Sequence, residues 1–300
     1  MRITQQMMNQ TALEGMQANM RRLADIQKQA VTTKRVSRPE DDPFAVEQSL
    51  GFRARLQAGE AILHNVSMST DWLAATDKAL SEMTTLLNRG QDLALRGANE
   101  TLGPDERQSL AAEVEGLLEQ AVALGNSRNG DQYLFSGFQI DKPTFSINRD
   151  ATTGLITSIT DINDPGQIQR EVEPGVNMAI NIQGGPAFNG AFNTLIALRD
   201  ALRSSTFVTG DVSTQLNQIQ TQRNNILDLQ AAVGTKARRL DATASRIETA
   251  QVGLQDMLSK AEDADMAEVI SHLNQQQFAY EAALKVNAQT LSMSLLDFLK

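Results

Sequence analysis

Apolar residues recur every three or four positions over several long stretches of this 300-residue chain, and the recurrence lapses once, between about residues 136 and 190. Near the N-terminus Leu13, Met16, Met20, Leu23 and Ala30 keep the spacing, with Gln27 in the missing place. Near the C-terminus Met266, Ile270, Leu273, Tyr280, Leu284, Leu291 and Phe298 lie on a heptad, with Gln277, Asn287 and Ser294 as its polar members. A 3/4 repeat puts such residues on one face of a helix. Both stripes are narrow and interrupted by polar side chains. A lone helix of that kind gains little, so the two ends are expected to become ordered only when neighbouring chains cover the open side.

Two longer repeats lie inside these ends. From Phe44 to about Asn99 the spacing holds through Phe52, Leu56, Leu63, Val66, Leu73, Leu80, Met83 and Leu87. From Val212 to Ala261 a tighter seam runs through Leu216, Ile219, Ile226, Val233, Leu240, Ile247, Leu254 and Leu258. A 3.5-residue period sustained over this length predicts coiled-coil-like helices. A further helix is expected over 105–126, opened by Gly103-Pro104. Two joints interrupt the pattern. At Asp42-Pro43 an acceptor side chain precedes a proline suited to the first helical position. At Asp265-Met266-Ala267-Glu268 the spacing matches a capping box in its Asp form.

Where the helical period lapses, Gly, Pro, Thr and Ile rise. Residues 144–149 and 155–160 flank a turn at Asp150–Gly154, and 167–173 and 176–182 flank Pro174-Gly175, which reads as two hairpins. The chain then returns through Gly184-Gly185-Pro186 to a short helix over 191–203. The expected fold is mainly α: a long antiparallel helical or coiled-coil rod built from the N- and C-terminal segments, with a small β-rich inserted domain. The expected division is 1–40 plus 265–300 as a terminal helical assembly domain, 41–135 plus 191–264 as the rod, and 136–190 as a small β-rich outer domain.

Composition supports helices over sheets, with 41% hydrophobic but only 4% aromatic residues. The net charge of −9 argues against nucleic acid as the main partner. The ends differ in sign. Residues 1–40 hold seven basic and three acidic residues, net +4, whereas 262–300 hold six acidic and two basic, net −4. That asymmetry favours pairing of the two ends. No apolar run approaches the ~18 residues of a membrane span, so no membrane insertion is expected. The start, Met1-Arg2-Ile3, lacks the apolar run of a cleaved secretory signal.

Candidate chemistry is sparse. There is no cysteine, and the two histidines, His64 and His272, lie in helical stretches without companions at metal-ligand spacing. No phosphate loop or nucleophile elbow is present. Asp41 and Asp42 read as a helix start before Pro43. Glu262, Asp263, Asp265 and Glu268 lack the glycine and spacing of a calcium loop and read as capping and N-terminal charge. No catalytic residue, cofactor or metal is expected. Tyr133, Phe135, Phe138 and Phe145 gather in one stretch, as a small core at a domain boundary or an exposed docking patch.

Two motifs at opposite ends carry a resemblance. The run Arg35-Val36-Ser37-Arg38-Pro39-Glu40-Asp41-Asp42-Pro43 resembles the arginine-to-Asp-Asp-Pro stretch of the flagellin superfamily. The run Glu262-Asp263-Ala264-Asp265-Met266-Ala267-Glu268, followed by Leu273-Asn274-Gln275-Gln276-Gln277, is similar to that family's C-terminal signature. Arg89, Leu93 and Asn99 fit its central helix. The start Met1-Arg2-Ile3, the proline after Asp42, and Gly130-Asp131-Gln132-Tyr133-Leu134-Phe135-Ser136-Gly137 resemble the branch of the superfamily that sits where flagellar hook meets filament. Thr33 departs from the glycine that many members have before Lys-Arg.

The resemblance implies a non-enzymatic structural subunit, exported by the flagellar type III system and located outside the cell in the flagellum. Its implied partners are further copies of itself, the other junction protein, flagellin and an export chaperone. It also implies that Arg35, Asp41, Asp42, Arg89 and Leu93 join the two seams in subunit assembly. A filament flagellin and a cytoplasmic coiled-coil scaffold are the alternative readings.

Overall fold

The structure, a computed structural model, describes the backbone of residues 5–99, 101–162 and 166–298 and, within those ranges, the side chains of residue 7 and of 10–288. Among the described residues six helices follow one another: α1 (Gln5–Thr32), α2 (Pro43–Gly97), α3 (Pro104–Gly125), α4 (Gly184–Arg203), α5 (Thr209–Glu262) and α6 (Met266–Phe298). Between α3 and α4 lie three antiparallel hairpins: β1 (Arg128–Asn129) with β2 (Gln132–Tyr133), β3 (Phe145–Arg149) with β4 (Ile156–Asp161), and β5 (Gln169–Glu173) with β6 (Val176–Ala179). The fold is therefore mainly α with a small β-rich region. The chain divides into two compact units, residues 1–58 with 249–300, and residues 59–248.

The helix ends follow local chemistry. α2 opens at Pro43, and the Ala45 N–H donates to Asp42 Oδ1 at 3.1 Å. α6 opens at Met266, with the Ala267 and Glu268 N–H groups donating to Asp265 Oδ1 at 2.9 and 3.4 Å. Glu268 sits 4.0 Å from His272, one turn along the helix. α3 opens with Pro104 in its first turn, and Glu106 reaches back to accept from the Gly103 N–H at 3.0 Å. Pro174-Gly175 makes the two-residue turn of the third hairpin, where Gly175 takes the positive φ of 74° that such a turn requires.

One boundary differs from expectation. α4 begins at Gly184, seven residues earlier than the periodicity suggested, so Gly184-Gly185-Pro186 is its first turn and not a return loop. A proline there removes no helical hydrogen bond, because first-turn N–H groups have no partner within the helix. Gly184 also packs where a side chain could not. An added Cβ would lie 2.5 Å from Thr144 and 3.0 Å from Phe145.

The larger unit holds the hydrophobic core. Leu73, Leu80, Met83 and Leu87 of α2, Leu118 of α3, Leu195 and Leu198 of α4, and Ile219, Ile226 and Leu240 of α5 are buried together. Phe135, Phe145, Phe188 and Phe192 cluster in the same core, edge-on for Phe135–Phe188 and Phe145–Phe192, with centroids 4.7 and 4.9 Å apart, and stacked for Phe188–Phe192. Of the aromatic group singled out in the sequence, Tyr133, Phe135 and Phe145 are buried and Phe138 is exposed.

The hairpins are tied to the helices by polar side chains that complete backbone bonding. Asn126 and Phe145 exchange two bonds, Phe145 N–H to Asn126 Oδ1 at 2.8 Å and Asn126 Nδ2 to Phe145 O at 3.0 Å. Lys236 Nζ donates to Ala179 O at 2.7 Å, and Glu173 accepts from Thr243 at 3.1 Å and pairs with Arg246 at 2.7 Å. The Arg246 contact holds the Glu173 carboxyl below the usual glutamate range, and burial lowers the Lys236 ammonium from its ordinary value.

Candidate functional site

The other unit is built differently. Among the described residues, only Val36, Ala45 and Val269 of its apolar side chains are buried, against thirty-six in the larger unit. Yet, among the described residues, twelve of the nineteen exposed large hydrophobic side chains belong to it. Folding normally hides apolar surface at about 25 cal/mol per Å², and this unit leaves these large side chains in water.

α1 and α6 pack side by side and antiparallel. Near their joints the Ala264 N–H donates to Thr33 O at 3.0 Å. Further along, Gln276 Nε2 reaches Asn19 O and Oδ1 at 3.5 Å, and Asn287 Nδ2 approaches Met16 Sδ at 3.6 Å. Burial identifies the face each helix turns inward. In α1 it comprises Ala12, Met16, Asn19, Leu23, Ile26 and Ala30. In α6 it comprises Met266, Val269, Leu273, Gln276, Tyr280, Ala283 and Asn287.

The members of each expected stripe are divided between this inner face and the open side. Met16, Leu23, Met266, Leu273 and Tyr280 are on the inner face. Leu13 and Met20 are not, at 57% and 56% exposed, and neither are Ile270 and Leu284, at 50% and 39%. The inner second row is offset by one residue in both helices, to 12/19/26 and 269/276/283. Each helix thus has two overlapping seams that share one row. The chain closes the less apolar seam on itself and leaves the more apolar row open. Leu291 and Phe298 lie outside the described side chains.

The residues singled out by resemblance fall in three places. Arg35, Asp41 and Asp42 are at the joint between α1 and α2. Arg35 lies 3.4 Å from Asp42, and Asp41 accepts from the Ser37 and Arg38 N–H groups at 3.1 and 2.9 Å. Backbone donors hold both aspartates below their ordinary range, Ser37 and Arg38 for Asp41 and Ala45 for Asp42. Arg89 pairs with Glu113 of α3 at 2.9 Å and stays half exposed. Leu93 is fully buried in the larger unit's core, so it is a packing residue and presents nothing to a neighbour.

Glu262 was missed as a structural centre. Its expected role was capping charge, but it is the last residue of α5 and is 3% exposed. Its Oε2 accepts from Lys34 Nζ, and from Arg53 Nη2 at 2.7 Å. Although burial alone would raise its pKa, these cations hold it below the usual glutamate value. The available signal was its spacing: position 262 follows Leu258 by four, one residue beyond Ala261, where the expected seam ended. Among the described residues, Lys34–Glu262 is the one ion pair that joins the basic first forty residues to the acidic C-terminal segment. Charge pairing of the ends is therefore concentrated at the joint.

His64 and His272 are both exposed on helices. Among the described residues no group of three acidic or histidine side chains is placed to hold a metal, and no helix is long and apolar enough to cross a membrane.

Comparison with known proteins finds relatives for both terminal regions and for the fold. The profile of the bacterial flagellin N-terminal helical region matches residues 3–139, and that of the bacterial flagellin C-terminal helical region matches 216–299. The chain is 25% identical to flagellar hook-associated protein 3 of Escherichia coli over the full length of both chains. It is 26% identical to the protein of that name from Salmonella typhimurium, with 98% of each chain covered. In fold it resembles the flagellar junction protein FlgL from Legionella pneumophila, with a TM-score of 0.58 and 15% identity over 73% of this chain and all of the other.

Proposed function

Because the chain belongs to the flagellin superfamily through both of its terminal regions, we propose that it is the subunit joining the flagellar hook to the filament. The observation that carries this reading is the open apolar row on each terminal helix, Leu13 and Met20 on α1 with Ile270 and Leu284 on α6. Two near full-length relatives named for hook association favour the junction over the filament body.

In this reading the function is structural, not enzymatic. Segments 1–40 and 265–300 assemble, 41–135 with 191–264 support them, and 136–190 faces outward. The subunit leaves the cell through the flagellar export apparatus, accompanied by a chaperone. It then binds further copies of itself, the other junction protein on one side and flagellin on the other. Assembly removes the open rows from water, and that gain offsets the entropy lost in ordering the helices.

Immunogold labelling of isolated flagella tests the proposal. Label confined to the hook–filament boundary is the expected result. Label along the whole filament would make the chain a flagellin, and label absent from flagella would remove the structural reading altogether.

A further inference from the structure

Three chain segments meet at Glu262. The connector after α1 contributes Lys34, whose ammonium bonds the carboxylate, and Arg35, whose guanidinium donates to Ala261 O at 3.1 Å. The same connector runs beside the α5–α6 joint as a short antiparallel bridge, Lys34 opposite Asp263. The Arg35 and Val36 N–H groups both donate to Glu262 O, at 2.7 and 3.4 Å. α2 contributes Arg53, whose guanidinium donates to the same carboxylate oxygen at 2.7 Å. Among the described residues this is the most buried acidic side chain of a unit that otherwise buries few apolar side chains. Its position between two cations therefore weighs more than a similar pair would in a well-packed domain.

Residue 33 adds a second feature. Thr33, which leads into this connector, has a φ of +57°, and it is the one non-glycine residue with positive φ among the described residues. A β-branched residue in that region is strained by about 1–2 kcal/mol. The turn that brings Lys34 to Glu262 is thus held against a local preference to relax, and the polar contacts beyond it do the holding.

We infer that Glu262 is an acid-sensitive latch for the terminal unit: ionised, it fastens the α1–α2 connector and α2 to the α5–α6 joint and so keeps α1 and α6 paired; protonated, it lets that pair open. The charged groups around it are Lys34, Arg35 and Asp42 from the connector, Arg53 from α2, Asp263 and Asp265 at the joint, and Lys260 on α5. Lys260 is paired with Asp256, Asp263 accepts from Ser259, and Arg35 is drawn to Asp42. Lys34 and Arg53 thus have Glu262 as their carboxylate partner among the described residues. Protonation leaves these two cations facing each other without an anion.

The sign follows from the direction of the shift. Glu262 is held below its ordinary value in the folded chain, so its contribution is present above the ordinary glutamate value of about 4.3 and is lost as pH falls through the lower, folded value. The latch is a property of the lone chain and stands whether or not the chain joins a hook to a filament.

The experiment uses the full chain at low concentration. Hydrogen exchange is followed for residues 5–32 and 266–298 between pH 3 and 7, in the native protein and in Glu262→Gln. Emission from Trp72, the single tryptophan and a buried residue of the other unit, reports on that unit separately. The native protein should lose protection in both terminal helices on acidification before Trp72 emission changes. Glu262→Gln should show at least tenfold faster terminal exchange already at pH 7, with Trp72 emission as in the native protein. Native-like terminal protection in Glu262→Gln at pH 7 would overturn the proposal. So would a simultaneous change at Trp72, because the effect would then be global. Lys34→Met with Arg53→Met should abolish the acid transition, and its survival in that variant would also count against the latch.

Discussion

Gln276 of α6 reaches Asn19 of α1 at 3.5 Å, which puts a polar contact in the middle of the seam between the two terminal helices. A polar residue in a helical seam costs stability and leaves the pairing adjustable. The chain therefore closes its own ends weakly while its larger apolar side chains wait on the adjacent row.

Filling that seam should tighten the lone subunit. Asn19→Leu combined with Gln276→Leu is expected to stabilise the α1–α6 pair by about 2 kcal/mol. The gain would register as slower hydrogen exchange in both helices at neutral pH. Unchanged or faster exchange would mean that Asn19 and Gln276 are not seam residues.

The open row should behave in the opposite way. Leu13→Ser with Met20→Ser removes apolar groups that the folded chain leaves in water, so thermal stability should move by no more than about 0.5 kcal/mol. Incorporation into flagella, scored by electron microscopy, should nevertheless be lost. A large fall in melting temperature would show that these side chains pack within the chain after all.

Thr33→Gly relieves a left-handed backbone position at the end of α1. Glycine loses the steric penalty but gains unfolded-state entropy, so the net stabilisation should be about 0.5–1 kcal/mol. Protection of the Ala264 amide, which donates to Thr33 O, is the local measure. A destabilised variant would mean that the Thr33 side chain contributes more than its backbone costs.

Arg199 is 3% exposed and holds α4, α3 and β4 together. It donates to Glu115 Oε2 at 2.7 Å and to Ile156 O at 2.6 Å, while the Ile156 N–H donates to Glu115 Oε1 at 2.8 Å. Arg199→Met should cost about 3–5 kcal/mol, because it leaves a largely buried carboxylate without its cation. Adding Glu115→Met should recover part of that loss. Denaturant melts followed by Trp72 emission give both values, and a double variant no better than the single would contradict the pairing.

Most helix boundaries and turns were legible because they depend on near neighbours. Asp42 before Pro43, Asp265 before Met266 and Pro174-Gly175 each act within four residues, and the structure has a helix or a turn at each. Gly184-Gly185-Pro186 misled because the same three residues suit a loop and a helical first turn. The choice depended on the close approach of Gly184 to Thr144 and Phe145. Leu93 was assigned to a contact surface by resemblance, yet its own place in the α2 repeat already suited the core where it lies.

The sequence by itself determined the helical period, the joints, the opposite charges of the two ends and the β-rich insertion, since each follows from local spacing and composition. It could not determine the phase of the terminal seams. Rows 12/19/26 and 13/20/27 both complete a 3/4 repeat with 16/23/30, and rows 269/276/283 and 270/277/284 do the same with 266/273/280. Hydrophobicity alone favours the second row in each case. The tertiary structure turned the smaller or more polar row inward and left the larger one outside, because the choice depends on which side chains meet across two helices more than 200 residues apart. The same distance hid Glu262, whose partners Lys34 and Arg53 become neighbours only when the ends of the chain are brought together.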